Sequence, residues 1–300
     1  MKKYAVIDIG GTMIKYGLVD HQGKLLKKNE MDTAAELGGP GILQKVVAII
    51  DSFQEEQNLS GICLSSAGMV DPDKGKIFYS GPAIPNYAGT QFKQIIEEKY
   101  NLPCEIENDV NCAGLAEVLS GNAKGSKVTL CLTIGTGIGG CMLTKTDVFH
   151  GYNNSACEIG YLKMGDSTFQ DLASTTALVR AVSEAHGDYH SDWNGHRIFK
   201  EAKEGNEKCI TAIDRMVDYL GQGIATICYV INPETVVLGG GIMGQKAYLK
   251  DKIEAKVADY LLASLVANTK IVFAHHENEA GMLGAYYHFR NKQEKSVIND

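Results

Sequence analysis

Two carboxylates in this 300-residue chain stand where apolar runs end. Asp8 falls near the close of the run Tyr4 to Ile9, which is followed at once by Gly10, Gly11 and Thr12. A carboxylate at a strand end can hold Mg²⁺ largely through waters. A glycine corner lets backbone N–H groups approach a bulky anion, and Thr12 adds a hydroxyl beside them. The chemistry offered is phosphate and metal binding. Asp109 follows the apolar-patterned Cys104-Glu-Ile-Glu107 and opens a helical stretch. Ligands of α/β sheets sit at the C-terminal ends of strands, so Asp109 is the candidate catalytic group. Two plainer readings stay open here: a β-hairpin with an ordinary glycine turn, and a helix N-cap for Asp109.

The opening pattern returns. Val128 to Ile134 reads as a strand, Gly135-Thr136-Gly137 as a glycine corner, and Gly139 to Thr144 as a second strand. Sliding the first hairpin by 125 residues places Ile9-Gly10 on Ile134-Gly135. Two copies of strand, corner and strand predict a duplicated architecture with a cleft between its halves, where one anion is gripped from both sides. The spacing Gly135-x-Gly137-x-x-Gly140 also matches a dinucleotide fingerprint, but a strand follows it where that fingerprint needs a helix. Gly239-x-Gly241-x-x-Gly244 does lead into a helix, yet too little chain remains for a second mononucleotide half. A glycine turn against an adenosine fits Gly239, Gly240 and Gly241 equally well.

The elements that must position these groups follow from periodicity. Residues 4–9, 14–19 and 23–31 form an antiparallel meander. A helix over 41–57 carries Ile42, Val46, Ile49, Ile50 and Phe53 on one face. The short strand 61–67 ends in the small-residue turn Ser66-Ala-Gly68, and strand, helix, strand in that order implies a parallel crossover. Residues 72–89, with three of the six prolines, read as a loop. Helices are expected over 89–100, 108–119, 171–185, from 199 onward, 207–232, 246–265 and 278–290, with strands at 235–238 and closing at 272. His186, His190 and His196 read as a solvated connection and not as a metal site, because the run has no cysteine. The charged tail 291–300 reads as frayed.

Composition narrows the class. Apolar residues make up 44% and charged residues 22%, as in an ordinary globular protein. The net charge of -7 and the absence of basic runs argue against a nucleic-acid binder. Eight scattered cysteines without any Cys-x-x-Cys pair suit a reduced, cytoplasmic setting. Asp8 and the glycines cut the first apolar stretch too short for a signal peptide, and no stretch is long enough for a membrane helix.

Together these segments resemble the ROK family of sugar kinases and their repressor relatives, in the hexokinase/actin-like superfamily. Asp8-Ile-Gly-Gly-Thr12-x-x-Lys15 is similar to the family's first phosphate motif, and Ile134 to Gly140 to its second. Glu107-Asn-Asp-Val-Asn-Cys-Ala113 resembles the segment with the catalytic Asp, Pro233 to Ile242 the adenosine segment, and Glu279 to Ala285 the closing helix. The resemblance implies an α/β, two-lobed, actin-like ATPase fold of duplicated ribonuclease H type with a central cleft. It implies lobes of 1–115 and 116–278, with a helix from about 279 returning to the first. ATP and Mg²⁺ would be the cofactors, and a small sugar the partner, with no nucleic acid and no membrane. Asp109 would be the general base toward the 6-hydroxyl of a hexose. Asn86, Asn108 and Glu158, with the backbone around Ser66 and Gly68, would touch the sugar. Gly10, Gly11, Thr12, Lys15, Gly135, Thr136, Gly137 and Gly239 to Gly241 would hold the nucleotide, and Asp8 the Mg²⁺. A homodimer is the assembly the family suggests.

The departures from the family pattern matter as much. Its Gly-Glu-Ile-Gly-His stretch reads Cys157-Glu158-Ile-Gly-Tyr161, the zinc-binding cysteines that should follow are absent from 163–169, and Gln170 replaces a sugar-binding Glu. These changes imply no structural zinc and a reshaped pocket at the anomeric end. Tyr161 would either stack on a sugar or fill the space of the missing zinc site. Zinc-free members resemble β-glucoside kinases, so a β-linked disaccharide or aryl glucoside is the expected acceptor, with glucose or N-acetylmannosamine as alternatives. Repressor members carry an additional N-terminal helix-turn-helix, whereas Tyr4 already lies in the phosphate strand.

Overall fold

The computed structural model describes residues 2–81 and 84–299. The chain forms two compact units, Met1–Leu119 with His150–Ala156 and Asn278–Asp300, and Ser120–Phe149 with Cys157–Glu277.

Unit 1 opens with β1 (Lys3–Ile9), β2 (Met13–Asp20) and β3 (Leu25–Asp32), an antiparallel meander. Helix α1 (Gly38–Glu56) then crosses to β4 (Ile62–Ser66), which pairs parallel with β1. On α1 the residues Ile42, Val46, Ile49, Ile50 and Phe53 are buried, the face that the 3.6-residue period predicts. Each contributes about 1.5–3 kcal/mol of burial, and Phe53→Ala would cost about 3–5 kcal/mol. The helix begins three residues earlier than its periodicity suggests, because Gly38 and Gly39 tuck under Pro85 and Asn86.

The proline-rich stretch is not all loop. Val70 and Ile77, both buried, pair β5 (Met69–Asp71) with β6 (Lys76–Tyr79) as a small hairpin. Pro82 and Ala83, also in that stretch, lie outside the described residues. Helix α2 (Phe92–Tyr100) leads to β7 (Cys104–Asn108), parallel to β4, and α3 (Asp109–Ser120) starts directly from its end. The sheet order is β3-β2-β1-β4-β7.

Unit 2 repeats this plan with β8 (Val128–Ile134), β9 (Ile138–Thr144) and β10 (Asp147–Val148), all antiparallel. A two-residue turn at Gly165 and Asp166 joins β11 (Lys163–Met164) to β12 (Ser167–Thr168). The single helix expected over 171–185 is two: α4 (Phe169–Ala173) and α5 (Thr175–His186). Ser174 is extended and caps α5 by accepting from Ala177 N–H, which breaks the run. Next come α6 (Gly195–Lys203), the long core helix α7 (Glu207–Ile231) and β13 (Thr235–Gly239). The stretch 246–265 also divides, into α8 (Lys246–Tyr260) and α9 (Ala263–Val266), with Leu261 and Leu262 extended between them. With β14 (Lys270–Phe273) the second sheet has the order β10-β9-β8-β13-β14, the same pattern as the first.

The closing helix α10 (Ala280–Asn299) belongs to unit 1 and lies on β4, β1 and β7. It runs nine residues past Arg290, so the tail expected to fray is helical through Asn299. No described helix is long and apolar enough to cross a membrane. None of the eight cysteines, all among the described residues, is in a disulfide, and seven are buried.

Candidate active site

In unit 1 the parallel strands β1, β4 and β7 end on one edge. Register sets Asp8 beside Ser65, and Ser65 beside Glu107; one step on come Ile9, Ser66 and Asn108. The three strand ends therefore bring Asp8, Ser66, Asn108 and Asp109 to the same end of the sheet. Ser65 Oγ donates to Asp8 Oδ1 at 2.6 Å. Burial raises the Asp8 carboxyl above its ordinary value, while the Ser65 hydrogen bond and the Lys15 charge pull it down.

Asn108 is the cap of α3. Its Oδ1 accepts from Val110 N–H at 2.9 Å and Asn111 N–H at 3.1 Å, and its Nδ2 donates to Gly68 O at 2.9 Å and Asp109 Oδ1 at 3.0 Å. The capping role considered for Asp109 is thus largely taken by its neighbour. Burial, then the Asp8 carboxylate, push the Asp109 carboxyl up to about 7, against the hydrogen bonds from Val110 N–H and Asn108. A carboxyl poised there can take a proton near neutral pH.

The first glycine corner is closed by Gly10 N–H donating to Met13 O at 3.0 Å, with neither Gly10 nor Gly11 at positive φ. Close approach, and not an unusual backbone angle, is what glycine supplies at this corner. Thr33, fully buried and absent from the sequence reading, pins the corner: its hydroxyl donates to Gly10 O at 2.7 Å and its N–H to Thr12 O at 2.8 Å. Lys15 Nζ donates to Asn278 Oδ1 at 3.0 Å, which ties β2 to the turn before α10. Asn86 is exposed and left-handed at φ 51°, and Ser66 Oγ lies 2.6 Å from Tyr87 Oη.

In unit 2 the second corner is closed by Gly135 N–H on Gly137 O at 2.9 Å, and Gly135 O accepts from Thr175 N–H at 2.9 Å. The N-terminus of α5 therefore stands against the corner, where helix N–H groups favour an anion. A cavity of about 480 Å³ opens here, lined by Gly135, Thr136, Gly241, Val179, Phe199 and Gln245 among others, with His190 and His196 also in its wall. The histidine run is the exposed connection that the sequence suggests, with His190 and His196 both exposed. His190 and His196 border the cavity, and His186 ends α5, its ring tilted against Trp193 with 4.6 Å between ring centres. Gly240 is needed for its backbone: φ is 100°, and a methyl there would stand 2.2 Å from Ile134 O. The size and mixed lining suit a nucleoside.

The residues of unit 2 expected at the sugar, Glu158, Tyr161 and Gln170, lie near the same corner. Glu158 to Tyr161 form a short turn, and Gln170 opens α4 beside it. A methyl at Gly137 would fall 2.7 Å from Gln170 Oε1, and one at Gly160 2.9 Å from the same atom. Gln170 thus touches both the phosphate-type corner and the Glu158–Tyr161 turn. Tyr161 is 59% exposed, so its ring fills no void. The β11–β12 hairpin stands where the family's zinc segment was expected, closed by Phe169 N–H on Leu162 O. Among the described residues the only metal-like group is His186, Glu201 and Cys209, with donor atoms within 4.8 Å. Asn206 Nδ2 already donates to Glu201 Oε2 at 2.7 Å and faces His186 Nε2 at 3.3 Å, bridging these two donors.

Two five-stranded sheets of identical order, each led by a hairpin with a glycine corner, define the duplicated actin-like kinase class. The chain belongs to the ROK family, whose model matches residues 4–292. It is 48% identical to a Clostridium perfringens protein over 98% of this chain and 100% of that one. It is 30% identical to a beta-glucoside kinase of Listeria monocytogenes, covering 98% and 99% of the two chains. A ROK family protein from Streptococcus pneumoniae solved with sucrose superposes with a TM-score of 0.86 at 32% identity, covering 98% of this chain and 99% of that one.

Proposed function

We propose that this protein transfers the γ-phosphoryl group of ATP to the 6-hydroxyl of a hexose unit, with a β-glucoside of the cellobiose type as its preferred acceptor. It is a sugar kinase by family, and the observation that carries the mechanism is Asp109, held by Asn108 at the strand edge with its carboxyl near neutrality. In this reading Asp109 removes the proton of the attacking hydroxyl, a step worth about 10²- to 10⁴-fold. Asn108 fixes the carboxylate, and Asn86, Glu158 and the Ser66–Gly68 backbone hold the sugar hydroxyls.

The corners at Gly10–Thr12 and Gly135–Gly137, with Lys15, receive the phosphates, and the cavity beside Gly239–Gly241 takes the adenosine. The Asp8 carboxylate suits a cation held through water, and Mg²⁺ there supplies charge neutralisation to the transferring phosphoryl group. The shortened β11–β12 hairpin and exposed Tyr161 leave room and an aromatic face for a second sugar, and a relative holding sucrose supports a disaccharide-sized pocket. Glucose is the alternative acceptor, as the ring contacts are common to both. A homodimer in a reducing, ATP-containing cytoplasm is the setting proposed.

Turnover of ATP against cellobiose, aryl β-glucosides, glucose and N-acetylmannosamine tests the assignment. Highest kcat/KM with a β-glucoside is expected. A preference for glucose or N-acetylmannosamine would overturn the acceptor, and no stimulation by any sugar would overturn the function.

A further inference from the structure

Behind Asp109 lies a second carboxylate that phosphoryl transfer does not use. Glu107 is fully buried near the end of β7. Its Oε1 accepts from the backbone N–H of Asn108 at 2.7 Å and from Asn111 Nδ2 at 3.0 Å. Its Oε2 accepts from His150 Nε2 at 2.7 Å, and His288 Nδ1 of α10 lies 3.4 Å away. A buried carboxylate is costly unless every lone pair is met, and removing one partner of such a set leaves an uncompensated charge. Here one group binds the residue before Asp109, the first turn of α3 and a distant loop.

That loop is His150–Ala156, which belongs to unit 1 although the chain on either side belongs to unit 2. It folds back on itself through Ala156 N–H on His150 O at 3.2 Å, and Ser155 Oγ reaches Met69 Sδ at 3.5 Å. Two residues beyond it the chain reaches Glu158. His150 is the one side chain of the loop that enters the buried network, with 27% of its surface exposed.

We infer that His150 and Glu107 are a positioning pair: the buried carboxylate seats the His150–Ala156 loop on the strand end that carries Asn108 and Asp109, and so orders the chain that leads into Glu158. The inference rests on the sugar-kinase reading for its kinetic consequence but not for the contact itself. Glu107 touches no reacting atom. It acts through the Asn108 N–H and through the loop.

Two variants and two measurements decide it. His150→Ala should raise KM for the sugar about tenfold or more while KM for ATP stays within about twofold, since only the loop is released. His150→Gln, which keeps a neutral donor at similar reach, should recover most of that loss. Hydrogen exchange of the amides from 150 to 158 should be about tenfold faster in His150→Ala and near wild type in His150→Gln. Unchanged exchange in His150→Ala overturns the pairing, whether or not any sugar is phosphorylated. Faster exchange with equal loss on both substrates, or no rescue by Gln, overturns the positioning role and leaves the kinase assignment intact. No sugar phosphorylated by the wild-type protein overturns the assignment, and the exchange comparison still judges the pair.

Discussion

Asn108 and Asp109 divide one job between them: the Asn108 side-chain Oδ1 caps α3 while its Nδ2, 3.0 Å from Asp109 Oδ1, holds the carboxylate. The residue that starts the helix is thereby spared from capping it. Asp109→Asn should keep the fold and lower kcat by about 10²- to 10⁴-fold with little change in KM for ATP. Asn108→Ala should cost about 1 kcal/mol of stability through the lost cap and also reduce kcat. A steady-state comparison decides; an Asp109→Asn enzyme near wild-type rate would remove Asp109 from the role of base.

The raised Asp109 carboxyl fixes the sign of a pH effect. In an unfolded chain it titrates near about 3.9, and in the fold at about 7. The folded state holds the proton more tightly between those values, so this group lowers stability as pH rises through that window. Asp109→Asn removes the penalty. Its melting temperature should exceed wild type by several degrees at about pH 8 and by nearly nothing at about pH 4. Activity runs the other way, with kcat/KM rising toward alkaline pH through an inflection near 7. A variant that is no more stable than wild type at the higher pH would contradict the burial of this carboxyl.

Thr33 supplies a test of the first corner. Its buried hydroxyl donates to Gly10 O at 2.7 Å, so Thr33→Val removes the donor with little change of shape and leaves that carbonyl unmet. A loss of about 1–3 kcal/mol in denaturant unfolding is expected, together with weaker ATP binding and an unchanged KM for sugar. An effect on the sugar alone would mean that the corner does not serve the nucleotide.

How much of this was legible beforehand depends on the range of each signal. The α1 face from Ile42 to Phe53 and the repeated glycine corners are local patterns, and they read directly from spacing. Thr33, Thr175 and His150 act on corners and strands far from them in sequence, where no periodicity points. The exposed connection of His186, His190 and His196 reads from its composition, but spacing within the run says nothing of Trp193, Asn206 or the cavity that folding sets beside them. The break at Ser174 does not show in the periodicity because a cap in mid-pattern overrides local propensity.

The closing helix offers the sharpest separation of folding from chemistry. A methyl at Gly284 would stand 1.8 Å from the backbone oxygen of Cys112, an atom fixed within α3. A methyl at Gly281 would stand 2.4 to 2.5 Å from the carboxyl atoms of Asp8, a side chain that can turn. Both glycines let α10 approach, but against different partners. Gly284→Ala forces helix from helix and should cost about 3 kcal/mol or more, visible as loss of soluble protein or of the unfolding transition. Gly281→Ala should stay folded because the carboxylate swings aside and breaks its 2.6 Å bond from Ser65. It should then need more Mg²⁺ for half-maximal rate by about tenfold while KM for sugar holds. Should Gly281→Ala keep the wild-type Mg²⁺ dependence, Asp8 would not be the cation's anchor.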